Sequence, residues 1–317
     1  MRKLLTFLMA LGAIVFAVVS PVSANGVLFL AQSSGGGGRT CTDDTASGNF
    51  LARTSGLSNT EKDAYCNMIK GLESDGIITG TMNGANSGSG ACGALVDAIY
   101  IPVTNSTATA SLNLCGTSYS LTLTGTCTFT ADAGWPCDGT TRFFNTGFVP
   151  STATTPNYSQ NSGFICAFII NSRTSSAVQV AIGTVNTSST VASDIVPLEF
   201  SDFAYQINSS TTDFTASSNA KGAYLVNRSA SNLVSVYKNG SSTALTTASD
   251  ASSATMNNAF YISAINNGVG GAANNFRSDT IGAIVIGGGT TPLSNVQAAA
   301  IENRINTYLA TFGKNAY

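Results

Sequence analysis

Histidine is absent from the 317 residues. Serine and cysteine nucleophiles therefore lose their usual base, and zinc loses a common nitrogen ligand. Charge is scarce: Asp, Glu, Lys and Arg together make up 9% of the chain, and no Lys/Arg cluster occurs. Without a basic patch there is little to hold phosphates, so no nucleic-acid partner is expected. Glutamate occurs only at Glu61, Glu73, Glu199 and Glu302, tryptophan only at Trp135, and no cysteine follows Cys166. Beyond the first 24 residues no apolar run is long enough to span a bilayer.

What the chain does have begins with "MRK", an apolar run "LLTFLMALGAIVFAVV", and "SPVSA" with small residues at Val22 and Ala24. This pattern reads as a secretory signal peptide over 1–24, cleaved after Ala24. With Arg2 and Lys3 removed, 12 basic residues face 16 acidic ones, a net charge of −4. A secreted or cell-surface chain rich in Ser, Thr, Asn and Gly suits a rigid β protein with uncharged polar loops. Seven cysteines lie between Cys41 and Cys166. Export predicts disulfides among them, and the odd count leaves at least one unpaired or joined to another chain. Cys127 and Cys137, flanking a short loop, are the expected pair. With no CxxC spacing and no histidine, a structural zinc is not expected.

Residues 25–49 contain "SSGGGG", a linker composition. A helical and loop lead-in with cysteines follows over 50–117. Ser58 and Glu61 make a capping box, and Tyr65, Met68, Ile69 and Leu72 recur on one helical face up to Gly76. From 118 to 317 the texture is of short strands separated by Gly, Asn, Ser and Pro clusters, with one continuous strand expected over 195–207. "VSVYKNGSSTAL" reads as a hairpin turning at Asn239–Gly240, with Val234 and Val236 on one face and Ser235 and Tyr237 on the other. "LSNVQAAAIENRINTYLATFG" closes the chain as a second capped helix, Ser294 with Gln297, burying Ile301, Ile305, Tyr308, Leu309 and Phe312. The expected class is all-β: an antiparallel jelly-roll sandwich with an N-terminal helical lead-in and a C-terminal helix.

Three stretches carry a resemblance. "CDGTTRFFNTG" (137–147) resembles the Asp-Gly strand near the start of laminin-G-like and concanavalin A-like jelly rolls, and "VSVYKNG" (234–240) resembles their central hairpin. "FYISAINNG" (260–268), followed by "DTIGAIVIGGGTTPLSNVQAAAIENRINTYL", resembles their closing strand, loop and helix. The lead-in around "FLARTSGLSNTEKDAYCNMIKGLESDGI" is similar to members found in bacterial genomes and phage or prophage tail regions. The resemblance covers about 50–313 and implies the concanavalin A-like lectin/glucanase fold. That fold hosts lectins, enzymes, adhesion modules and virion parts, so the site must decide.

A retaining glycosidase needs two carboxyl groups roughly 5–5.5 Å apart. Glu61, Glu73 and Glu302 fall on helices, and Glu199, on a strand, has Asp202 three residues on and on the opposite face of a continuous strand. A lyase of this fold would use a Tyr and often a His, and "VYKNGSS" offers no such set. "IGGGT" (286–290) lacks the Lys and Ser/Thr of a phosphate loop. No catalytic residue is therefore assigned. Trp135, Tyr158, Asn266 and Asn267, in turns and polar loops, are the candidate glycan-binding residues. Asp132 and Asp138 are the candidate calcium ligands, and no other cofactor is implied. The expectation is a non-enzymatic, secreted or surface-displayed protein that binds a glycan or another cell-surface polymer. The alternatives are a phage or prophage tail-associated structural or receptor-binding protein, and a glycan-cleaving enzyme with an atypical site.

Overall fold

The computed structural model describes residues 44–79, 92–174, 177–268 and 270–317. The expected signal peptide, Cys41 and most of the expected linker lie outside them. The linker's last residues are helical: Asp44 accepts from the Ser47 N–H and caps α1 (Thr45–Leu51). Helix α2 (Asn59–Ser74) has the expected Ser58–Glu61 box, and Gly76, at φ +68°, ends its run. A one-turn α3 (Thr107–Ala110) and the closing α4 (Asn295–Thr311), with its Ser294–Gln297 box, complete the helices of the described residues.

Two sheets form a jelly-roll sandwich. The first contains β1 (Val96–Tyr100), β4 (Gly163–Ile169), β9 (Gly222–Ala230), β10 (Leu233–Lys238), β11 (Thr246–Ala248) and β15 (Ile281–Gly288). Its order is β1-β15-β4-β9-β10-β11, antiparallel throughout. The second contains β2 (Thr122–Thr124), β3 (Phe143–Asn145), β5 (Ile182–Val185), β6 (Ala192–Glu199), β7 (Asp202–Ser209), β8 (Asp213–Ala216), β12 (Tyr261–Ile262), β13 (Ile265–Asn266) and β14 (Ala273–Asn274). Its path is β2-β3-β12-β5-β6-β7-β8, with the short β13 parallel to β5 and antiparallel to β14.

The first sheet is buried on both faces. Side chains alternate along a strand. Ile165, Ala167 and Ile169 of β4, Ile284 and Ile286 of β15, and Val234 and Val236 of β10 enter the sandwich core. Phe164, Cys166 and Phe168, Ala283 and Val285, and Tyr237 point the other way, into a second core under α2 and α4. This is why "GFICAFI" and "IGAIVIGG" are apolar without alternation. Each fully buried Phe, Ile or Leu contributes about 1.5–3 kcal/mol.

Helix α4 is fastened to this sheet by polar contacts. Tyr237 donates its hydroxyl to Asn295 Oδ1 at 2.6 Å, and Asn227 Nδ2 donates to the Leu293 carbonyl at 3.0 Å. The Asn239–Gly240 turn has the expected positive φ at both residues, +58° and +75°. It is also a docking point: the Gly240 N–H donates to buried Glu302 Oε2 at 2.7 Å, and Asn303 Nδ2 donates to the Gly240 carbonyl at 3.1 Å. Strand β11 starts only at Thr246, so the hairpin loop is longer than a two-residue turn.

Several sequence expectations change. Strand β1 arises inside the expected lead-in and pairs with β15. The strand texture expected from 118 onward begins with only three residues, in β2. The strand expected over 195–207 is two, because the chain reverses at Phe200–Ser201 and Glu199 pairs with Asp202. A disulfide joins Cys92 to Cys115, and Cys66 is also disulfide-bonded. The expected Cys127–Cys137 bond is unmade here: both are buried thiols, with their sulfurs 2.8 Å apart.

Two outcomes follow. Gly240→Ala places a Cβ in a left-handed turn and against Asn303 and the Tyr317 hydroxyl, and should cost about 1–3 kcal/mol in urea unfolding. In an oxidising buffer, Cys127 and Cys137 should pass two electrons and two protons to a thiol–disulfide oxidant and become one bond. Peptide mapping without reductant should then find Cys166 alkylated after denaturation and Cys127 linked to Cys137. Alkylation of all three before reduction contradicts the pairing.

Candidate functional site

The sequence-predicted ligand residues are mostly structural. Trp135 is 3% exposed, its ring 4.5 Å from Phe144 and edge-on to Phe129 at 5.5 Å, so it offers no face to a sugar. Tyr158 is 1% exposed, and its hydroxyl bonds Ser193 at 2.9 Å and Asn208 at 3.0 Å. Asn266 is buried; its Nδ2 donates to the Ala259 carbonyl and its Oδ1 accepts from the Gly268 N–H. Asn267 is half-buried, its backbone N–H donating to the Ala272 carbonyl. Apolar packing claimed the rings, and turn geometry claimed the amides. These residues do not form one surface.

Asp138 serves its own turn. Its Oδ1 accepts from the Thr140, Thr141 and Arg142 N–H groups, and its Oδ2 accepts from the Thr141 hydroxyl. Desolvation works against the charge, yet the Thr141 and Thr140 amides hold the carboxyl well below the usual range. That carboxylate is spent. Asp132 is half-buried and faces Glu61 rather than Asp138. Among the described residues no three His, Cys, Asp or Glu side chains gather as a metal site.

The structure points instead to the β6–β7 hairpin. Phe200 is 71% exposed and adopts φ +54°, a conformation that costs a non-glycine residue about 1–2 kcal/mol. A large ring held outward on a strained turn is an outlier worth a functional reading. It borders an open cleft of about 440 Å³ lined by Thr174, Leu198, Ser201, Ala216, Ser217 and Ser218. Thr174, Ser201 and Ser218 are exposed and line the same space as Phe200. The floor is braced from inside. Buried Arg173 donates from Nε to Asp279 at 2.8 Å and from Nη2 to the Leu198 carbonyl at 3.2 Å, and Arg277 also pairs with Asp279. The Ser217 N–H donates to the Ser201 carbonyl at 2.9 Å, tying β8's end to the turn. Phe214, 55% exposed, stands opposite Ala204 on β8.

Acidic groups flank the ring. Glu199 and Asp202 are directly paired across the hairpin and so share a face, contrary to the reading of one continuous strand. A register shift between Val196 and Glu199 explains the parity: Ile195 and Leu198, three residues apart, both enter the core. Asp194 and Glu199 therefore both lie off the core side of β6. Burial, then the Asp202 charge, raises Glu199. Burial, then the Glu199 charge, raises Asp194 from 3.8 to about 7, and its Oδ1 has no hydrogen-bond partner. Phe200 carried one sequence signal that went unused: Pro197, which argues against an unbroken central strand.

No family model and no curated protein matches the sequence. Among solved structures, the chain is similar to domain 4 of AbnA, a GH43 extracellular arabinanase from Geobacillus stearothermophilus in complex with arabinotriose. That match has 15% identity, 65% of this chain, 98% of that one and a TM-score of 0.39. It is also similar to a Ruminococcus gnavus IT-sialidase CBM40 bound to alpha2,6 sialyllactose, at 10% identity, 45% and 85% coverage and a TM-score of 0.34. A third match is the receptor binding domain of botulinum neurotoxin C/D mosaic serotype, at 10% identity and a TM-score of 0.44, covering 65% of this chain and about half (51%) of that one. At these identities and scores, the function of this chain rests on its own residues.

The buried acids predict a pH dependence. A carboxyl raised on folding holds a proton that the unfolded chain gives up, so its contribution to stability is full below the ordinary value and is lost as pH rises through the folded one. For Asp194 that window runs from 3.8 to about 7, and Glu302, raised to about 8 by burial, adds a slope of the same sign. Asp194→Asn should be more stable than wild type at pH 8 by about 1 kcal/mol or more and near neutral at pH 4, read from urea unfolding at the two pH values.

Proposed function

We propose that this chain is a secreted, non-enzymatic β-sandwich that binds a glycan or a similar cell-surface polymer at the tip of the β6–β7 hairpin. The observation that carries the reading is Phe200: a 71% exposed ring at φ +54° beside a hydroxyl-lined cleft. An apolar ring face with neighbouring hydroxyls and carboxylates matches a sugar, which has an apolar C–H face and a rim of hydroxyl donors and acceptors. Glu199 and Asp202 beside the ring repel anions, so neutral glycans are favoured over acidic ones. Contacts this few give micromolar to millimolar affinity, because polar ligands recover little desolvation energy.

A second reading, glycan cleavage, is favoured by one observation: Asp194, raised to about 7, lies on the same strand and side as Glu199. Glycoside hydrolysis uses two carboxyl groups held at different protonation states, and the Glu199 charge reaches Asp194.

A panel of neutral and acidic polysaccharides on the mature protein tests both. Phe200→Gly should weaken binding about tenfold or more, while stability holds or rises because glycine relieves the left-handed strain. Unchanged binding by that variant, or preference for acidic glycans, contradicts the site. Sustained release of reducing ends, lost in Glu199→Gln and Asp194→Asn, replaces the binding reading with the enzymatic one.

A further inference from the structure

A separate group of buried oxygens lies between α2, the segment after β1 and the 130–134 turn. Glu61 is 4% exposed; its Oε2 accepts from the Ser58 N–H and hydroxyl, both at 2.8 Å, while its Oε1 is buried without a partner. Thr104 is fully buried, with its side chain against the Tyr65 and Tyr308 hydroxyls. The Asp132 N–H donates to the Thr104 carbonyl at 2.9 Å, which sets the two residues side by side, and Asp132 Oδ1 is a second buried carboxylate oxygen without a partner. Asp132 sits at φ +56°, an uncommon conformation for a non-glycine residue.

The surroundings bring the three together. Tyr65 is one turn after Glu61 on α2 and lies 4.7 Å, ring to ring, from Tyr308, whose hydroxyl donates to the Val103 carbonyl next to Thr104. Burial pushes the Tyr65 hydroxyl up to about 12, with Thr104 and Tyr308 acting against the rise and the Glu61 and Asp132 charges adding to it. Burial, then the Glu61 charge and a side-chain contact with Glu61, raises Asp132. Neither carboxylate is in any of the ion pairs of the described residues.

A buried carboxylate facing the inward oxygen of a half-buried one, with no cation between them, is costly. We infer that Glu61 Oε1, Asp132 Oδ1 and Thr104 Oγ1 form a calcium site that fastens the lead-in helix to the sandwich. All three donors are oxygens, which suits a hard cation, and two negative charges match a divalent one. Water and backbone carbonyls complete the six to eight oxygens that calcium takes, and the strict octahedral demand of magnesium is a poorer fit. A lone bound proton is the competing occupant.

The test is calorimetric titration of the full mature protein, stripped with chelator, with calcium chloride, alongside thermal melts with and without the ion. Extracellular calcium modules bind at about 10⁻⁴–10⁻³ M, and a single site in that range is expected, with a rise in melting temperature that magnesium does not reproduce. Glu61→Gln keeps the capping box, since glutamine serves at that position, and Asp132→Asn keeps a residue that tolerates positive φ. Each should weaken calcium binding tenfold or more, yet melt at or above the calcium-free wild type because the facing charges are gone. If Glu61→Gln fails to fold, Asp132→Asn decides alone. Absence of heat and of a melting shift in wild type up to about 10 mM calcium, ten times the weak end of that range, overturns the site in favour of a shared proton. So does unchanged binding by the variants.

Discussion

The fold depends on burying both faces of one antiparallel sheet. Strands β4 and β15 are apolar along their whole central runs and β9 over Ala223–Val226, so each needs a layer above and a layer below. The second sheet covers one face and α2 with α4 cover the other. Without the helices, Phe164, Phe168, Leu225 and Val285 would present a broad apolar surface to water. The helices are thus part of the core, not an appendage to a sandwich. Their polar fastenings (Tyr237 to Asn295, Gly240 to Glu302, Arg304 to Asp75) fix their position on the sheet.

That arrangement assigns the remaining surfaces. The first sheet has no free face, so the open surface of the sandwich belongs to the second sheet and its hairpins. Most of that sheet's outward apolar residues, Val180, Val196, Ala204 and Ile265, are closed into a small satellite cluster. What remains open is the rim at β6, β7 and β8, where Phe200 and Phe214 project and Glu199 and Asp202 pair. The site is small, rigidly braced by the Arg173–Asp279 pair, and acidic. Those properties are the ones on which the proposed recognition of a neutral polymer rests.

Much of this was legible in the sequence, for identifiable reasons. The capping boxes at Ser58 and Ser294, the stripe Ile301, Ile305, Tyr308 and Leu309, and the positive-φ pair Asn239–Gly240 are local signals, and local physics decided them. The sandwich class followed from strand texture. The site was not legible, because exposure is a tertiary property. Trp135 sits in a Gly-Pro turn that looks superficial, yet the aromatic rings of Phe129 and Phe144 enclose it. Phe200 lies in "LEFSDF", which has no glycine or asparagine to mark a turn, so the sequence there reads as one strand with its acids facing apart. The Glu61–Asp132 meeting joins residues 71 positions apart, and no spacing rule announces it.

The central claim is that the twice-buried sheet and its helices form one cooperative unit from which the β6–β7 tip projects. Amide hydrogen exchange on the folded protein tests it most directly. The account predicts that β4, β9, β15 and α4 share the highest protection and lose it together as denaturant is added, while residues 199–202 exchange fast from the outset. Loss of protection in α4 well before the three strands, or strong protection at 199–202 in the free protein, would contradict it.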